Sequence, residues 1–187
     1  MSGARVLRVL HVDPERGFSG GETQVLALVR HLAERGHESW VATPPGGGLA
    51  ERIGSLGSSE LPRVGVVGLR CGMSHDPRAG LALRGWVAEH AVDVVHLHTA
   101  RALSLAPYLS RGPVRILTRR MDYPPRGNGA YVRWLYGRVA AVIAISAAAR
   151  DALVSRGVAT ERITIVPSGV ELERFAGLDA ASARREP

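Results

Sequence analysis

Lysine is absent from this chain. All 24 basic residues are arginines, set against 17 acidic ones, for a formal net charge of +7 over 187 residues. A phosphate loop of the Walker kind needs a lysine, so that class is excluded. The single cysteine, Cys71, has no partner for an internal disulfide, which suits a reducing compartment. Aromatic residues amount to 5%, and no basic helix carries interleaved rings, so no nucleic-acid partner is expected. No apolar run approaches the roughly 18 residues of a membrane helix. The N-terminus lacks the charged start, apolar stretch and small-residue site of a secretory signal, so a cytoplasmic protein is expected. The arginine surplus has two readings. Arginine-rich codon usage would scatter the charge without consequence, whereas guanidinium groups gathered at a site would grip phosphate or an anionic membrane surface.

What is present is an ordinary globular composition, 45% hydrophobic with 22 Gly and 11 Pro, and a length that suits one domain with a sizeable core. Short apolar runs alternate with helical periodicity. The runs Val6–Val12, Ser39–Thr43, Val64–Leu69, Val92–Leu97, Val114–Thr118, Val139–Ile145 and Ile163–Val166 read as seven strands. Between them lie helical segments. Gly21–Arg35 carries Val25, Leu28, Val29 and Leu32 at i, i+3, i+4 and i+7 and ends on Gly36. Others are Leu49–Leu56, a stretch running to His90, Ala102–Leu109, Tyr131–Arg138, and a helix capped by Ser146 that runs to Arg156. Near-continuous apolar strands separated by helices imply a Rossmann-like, doubly wound, mainly parallel sheet covered on both faces. Ligands bind such sheets beyond the carboxyl ends of the strands.

The loops at those ends carry the chemistry. After strand one, Ser19-Gly20-Gly21-Glu22 opens a helix, where glycine lets backbone amides approach an anion and the helix end favours negative charge. The alternative is a flexible connector. Gly17-Phe18-Ser19-Gly20-Gly21 matches a hydrolase elbow by letter, but a long loop is the wrong setting for one. Strand four closes on His96-Leu97-His98-Thr99, in which the two histidines share a face. His98 stands at the carboxyl end and is the functional candidate, while His96 reads as a core histidine. A metal site is not expected, because no third ligand stands at a convincing spacing. Arg119, Arg120 and Asp122, with Arg126 beyond them, either grip a phosphorylated or sugar ligand or pair among themselves. Trp86, Trp134 and Tyr136 read as core.

These pieces, in this order, resemble the N-terminal domain of a family 4 glycosyltransferase of GT-B architecture. The likeness runs from residue 5 to 175. It takes in Ser19-Gly20-Gly21-Glu22, Leu32-Ala33-Glu34-Arg35-Gly36-His37, Asp93-Val94-Val95-His96-Leu97-His98 and Ile143-Ala144-Ile145-Ser146. It closes on the exit segment Ile163 to Phe175. The resemblance implies a retaining transfer of a sugar from a nucleotide-sugar donor to a glycan or lipid-linked acceptor of the cell envelope. The nucleotide sugar would be a co-substrate, with no resident cofactor and no metal. Residues 1–175 would form the acceptor-side domain and 176–187 a tail or linker. The donor-binding domain would lie in a further part of the same chain or in a companion, so this chain alone would be inactive. Gly20 and Gly21 would lie near the donor phosphates and His98 near the transferred sugar, with Glu22 as a further substrate-binding residue. Thr99, Arg119, Arg120, Asp122, Ser146, Ser168 and Gly169 would line the remaining substrate surface. Ser168 stands where that family usually has Asn. A free-standing Rossmann-like binding module without catalysis is the competing expectation.

Overall fold

A computed structural model describes residues 5–169; the exit segment beyond Gly169 and the tail at 176–187 lie outside the described residues. Seven strands form one sheet: β1 (Arg8–Val12), β2 (Glu38–Thr43), β3 (Val64–Gly68), β4 (Val94–Leu97), β5 (Val114–Arg119), β6 (Ala141–Ala144) and β7 (Ile163–Ile165). Every pairing is parallel, and the order is β3-β2-β1-β4-β5-β6-β7. Six α-helices connect the strands: α1 (Gly20–Glu34), α2 (Gly48–Glu60), α3 (Pro77–Glu89), α4 (Ala100–Leu103), α5 (Gly129–Tyr136) and α6 (Ala147–Val154). The expected doubly wound parallel sheet is therefore present. β1 and β4 sit side by side at its centre, where the chain reverses its direction of travel across the sheet.

The two faces bury different cores. Leu10, Val12, Val95, Leu97, Leu117 and Val142 meet the apolar stripes of α3 to α6 on one side. Val41 meets Val25 and Val29 of α1 and Leu49 and Ile53 of α2 on the other. Since alternate residues of a strand face opposite ways, His11 and His96 point away from the larger core. They are direct partners in the β1–β4 ladder, and His11 also pairs with Val41 on β2. Their side chains therefore fall on the α1–α2 face.

Local chemistry explains where the elements depart from sequence expectation. The segment expected as a helix from Ala102 to Leu109 is instead the single turn of α4 followed by a 3-10 turn at Ala106–Tyr108. Pro107 cannot donate the amide a continuous α-helix would need there. α2 runs past Leu56 but kinks at Gly57, which takes φ of 66°. Trp86 packs edge-on against Trp40 at 5.3 Å and under His90 at 3.9 Å, and Tyr136 is buried. Trp134 departs from its expected core role and is 45% exposed, with Arg138 over its ring. The buried stripe of α5 is Val132, Leu135 and Tyr136, and Trp134 falls off it.

The tightest helix contact is at Gly80 of α3. A Cβ there would stand 2.5 Å from Cβ of Tyr108, which no side-chain rotation relieves. Gly85 of the same helix faces open space. Gly80→Ala is expected to destabilise the chain by roughly 1–3 kcal/mol through overpacking. Gly85→Ala should stabilise it by up to about 1 kcal/mol, the helix-propensity gain. Urea unfolding of the two variants measures both, and equal shifts of the same sign would contradict this packing.

Candidate functional site

The carboxyl ends of β1, β4 and β5 open into a cavity of about 870 Å³, completed by the N-terminal turn of α1, the loop before α3, and α5. Each wall has a local cause. Ser19 caps α1, with its backbone amide and its hydroxyl both donating to Glu22 Oε2 at 2.7 Å. Thr99 caps α4 by accepting from the Ala102 amide at 3.1 Å. In the loop before α3, the His75 amide donates to Ser104 Oγ at 2.9 Å, and its carbonyl accepts from Tyr108 Oη at 2.9 Å. The His75 ring also hydrogen-bonds the Tyr131 hydroxyl of α5.

His98, Thr99, Gly21, Glu22, Arg119 and Arg120 line this cavity together. Gly20 heads α1 beside the lining, and a Cβ at Gly20 or Gly21 would meet nothing closer than 3.9 Å. The protein itself thus sets no steric demand at either glycine. Asp122 is exposed and lies off the lining. Ser146 caps α6 through the Ala149 amide, outside the cavity. Ser168 and Gly169 are also exposed and off the lining, and the Gly169 carbonyl accepts from Gln24 Nε2 at 2.8 Å.

The three arginines line the same cavity in different settings. Arg119 is buried at the end of β5, donates to the Tyr123 carbonyl at 2.5 Å and lies over the Tyr123 ring. Arg120 donates to the His98 carbonyl at 3.0 Å. It also sits in the field of two carboxylates, Asp13 and Glu22. Arg126 is exposed on the cavity lining.

Two groups at the site, one on the cavity lining and one behind it, were not singled out in the sequence. Asp13 ends β1, fully buried, with Oδ1 accepting from the Glu15 amide at 3.2 Å and Oδ2 without a partner among the described residues. Burial pushes its pKa from 3.8 up to about 6, with the neighbouring carboxylates adding to the rise and the Glu15 amide and Arg120 opposing it. At Glu22 burial also pushes upward. There the Ser19 hydroxyl and the backbone amides, with Arg120 nearby, win and hold the carboxyl below its ordinary value.

The second omission is His11. It joins His96 and His98 in a buried cluster whose ring nitrogens lie within 4.8 Å of one another, the third histidine that the spacing along β4 alone did not supply. Neighbouring strands supply what sequence distance hides: once β1 lies beside β4, His11 stands level with His96. His11 Nδ1 and His98 Nε2 share a hydrogen bond of 3.0 Å, and His96 Nε2 shares one of 2.7 Å with the Thr118 hydroxyl. Burial lowers the pKa of His11 to about 3 and those of His96 and His98 well below the ordinary value. All three are therefore neutral at physiological pH. Three neutral imidazoles are a metal's usual nitrogen ligands. Here two of the rings share a hydrogen bond instead. His11 and His98 meet nitrogen to nitrogen, and His96 lies against the face of His98 at 4.0 Å, tilted by 32°. A tetrahedral zinc ion at about 2.0 Å from each nitrogen would hold two of them about 3.3 Å apart, so one bound here would replace the hydrogen in the His11–His98 contact. The arrangement is that of a hydrogen-bonded set.

The Asp13 shift has a sign. A folded-state pKa raised above the unfolded value means that the folded chain holds this proton more tightly. The resulting stability is fully present below pH 3.8 and is lost as pH rises through about 6. Asp13→Asn, which cannot ionise, is expected to be more stable than the parent above pH 7, by on the order of 1–3 kcal/mol. The advantage should vanish below about pH 4. Thermal unfolding of both proteins across this range measures it, and a variant less stable at pH 8 would contradict it.

A family model for Glycosyltransferase Family 4 matches residues 18–174. No curated protein sequence matches the chain. Among solved structures, the fold is similar to Alr3699/HepE of Anabaena in complex with UDP-glucose, at 15% identity and a TM-score of 0.68, over 89% of this chain and 45% of that one. It is similar to a glycosyltransferase from Rickettsia africae ESF-5, at 16% identity and a TM-score of 0.72, over 96% and 48%. The lipopolysaccharide outer core galactosyltransferase WaaB in its apo form gives 14% identity and a TM-score of 0.56, over 89% and 47%. The chain thus spans about half the length of these proteins and has the fold of one half of a GT-B enzyme. From the matched residues, this chain belongs to glycosyltransferase family 4.

Proposed function

We propose that this chain forms the acceptor-side wall of a cleft in which a sugar passes from a nucleotide-sugar donor to an acceptor with retention of configuration. The observation that carries this reading is the cavity itself. One buried imidazole, one buried carboxylate and one partly buried guanidinium converge at the carboxyl ends of β1, β4 and β5 in a chain of this family. His98 is proposed to contact the transferred sugar. The first-turn amides of α1 beside Gly21 would face the donor phosphates, where the helix end favours negative charge, and Arg120 adds positive charge next to them. The nucleotide sugar enters as a co-substrate. Charge on a leaving diphosphate must be met from both walls of a cleft, so transfer is proposed to need a second domain, from the same or a companion chain.

The acceptor is proposed to be a glycan or lipid-linked precursor of the cell envelope. The exposed Met121 and Tyr123 stand with Arg126 on the lining of the cavity, an apolar and cationic rim that fits a lipid anchor beside a phosphate. Among the described residues no helix is long and apolar enough to cross a membrane, so contact with an anionic bilayer is proposed to be peripheral, from the cytoplasmic side.

Two substitutions test this in the complete two-domain protein. Gly21→Val is expected to weaken binding of UDP-sugars about tenfold or more, because a branched side chain would occupy the approach of the phosphates. Unfolding free energy should change by less than about 1 kcal/mol, since the position is sterically open within the chain. Calorimetric titration with UDP-glucose and its relatives reads the first, and unchanged affinity would return the loop to a simple connector. His98→Gln keeps an amide near the Nε2 position facing His11 but removes Nδ1. It should lower turnover by about 10² or more, and a variant with parental turnover would remove His98 from the reaction.

A further inference from the structure

The His11–His98 contact has a defined geometry. The ring centroids lie 5.3 Å apart with planes only 21° apart, while the two nitrogens are 3.0 Å apart. That combination describes two nearly coplanar imidazoles meeting edge to edge through a single hydrogen, and not rings stacked face to face. Each neutral imidazole carries one proton, on one of its two nitrogens. One of the pair's two protons must occupy the shared bond, and the other goes to one of the two outer nitrogens, His11 Nε2 or His98 Nδ1. Both outer nitrogens are shielded from solvent and lack a partner among the described residues, but their settings differ. His98 is one of the residues that line the cavity, whereas His11 is 0% exposed and lies off the lining.

If His98 owned the shared proton, His11 would carry a buried N–H on Nε2 with no acceptor among the described residues. A buried orphan N–H is rarer and costlier than a buried orphan lone pair. If His11 owns the shared proton, its Nε2 holds only a lone pair, and the second proton falls on His98 Nδ1. We propose that His11, through the Nδ1–H to Nε2 bond, is a positioning residue that locks His98 in the Nδ1-protonated tautomer. His98 then presents a hydrogen-bond donor to the cavity and holds no free lone pair with which to take a proton. On the reading of the site proposed above, His98 would steady an oxygen of the bound sugar and would not deprotonate an acceptor hydroxyl. The tautomer itself does not depend on that reading.

The test is a long-range proton–nitrogen correlation spectrum of the 15N-labelled chain, with imidazole signals assigned by single histidine substitutions. His98 is expected to show a protonated Nδ1 and an unprotonated, hydrogen-bonded Nε2, and His11 a protonated Nδ1. A protonated Nε2 on His98 overturns the proposal, whether or not any variant folds. His11→Leu removes the donor, so the His98 nitrogens should move to values averaged between tautomers. His11→Asn places a side-chain amide near the lost Nδ1 and should restore the parental pattern. An unchanged single tautomer in His11→Leu would also overturn the assignment. Turnover of the complete protein is read separately. A fall of about tenfold or more in His11→Leu that His11→Asn recovers supports the lock as functional. Unchanged turnover alongside the expected spectra leaves the tautomer standing and overturns the contact between His98 and the sugar.

Discussion

The parallel pairing of β1 with β4 is the contact on which the candidate site depends. These strands are more than 80 residues apart in the chain, yet their ladder sets His11 beside His96 and carries on to the His98 amide, which donates to the Val12 carbonyl at 3.1 Å. The connections leaving the two strands run to opposite faces, α1 on one and α4 on the other. The sheet ends therefore part at this point and leave a crevice that no helix fills. Gly21, Glu22, His98, Thr99 and Arg120 stand on that crevice, and His11 lies one hydrogen bond behind it.

The second constraint is charge held in a shielded place. Arg120 faces two carboxylates, one of which resists ionisation, and the nearby imidazoles are neutral. The part of the wall around Arg120 therefore has little net charge of its own although the chain as a whole is basic. A ligand meets directed hydrogen-bonding groups there and not a strong field. Affinity would be governed by which hydroxyls and phosphate oxygens reach those groups, a route to selectivity more than to raw attraction. The glycine-led turn of α1 and the neutral strand-end histidine act in the same sense.

The strands and the first helix were legible in the sequence because their patterns are local. Val25 and Val29 recur at helical spacing, and Gly36 and Gly157 take the left-handed conformation expected of helix ends. His98 was legible because position at a strand's carboxyl end is also local information. His11 was not, since its meaning lies wholly in a strand it does not adjoin in sequence. Asp13 was hidden for a similar reason: it reads as an ordinary loop aspartate until burial removes its water. The arginines at and after the end of β5 were legible only as a group. Their clustering in sequence suggested either a grip on a ligand or pairing among themselves; all three line the cavity, but Arg119 belongs to the strand and turns its guanidinium back onto Tyr123. Trp134 shows that an aromatic in a helix is core only when it falls on the buried stripe.

Placing the first strand in the middle of the sheet has a consequence in time. During synthesis β1 emerges early and finds β2 soon afterwards, but its other edge must wait for residues 94–97. At about 5–20 residues per second, that delay is roughly 4–17 s. Throughout it the ribosome presents a hydrophobic strand with one side unpaired, the template on which unrelated chains add themselves. For that interval the open edge of β1 is a hazard that the finished sheet removes once β4 pairs with it.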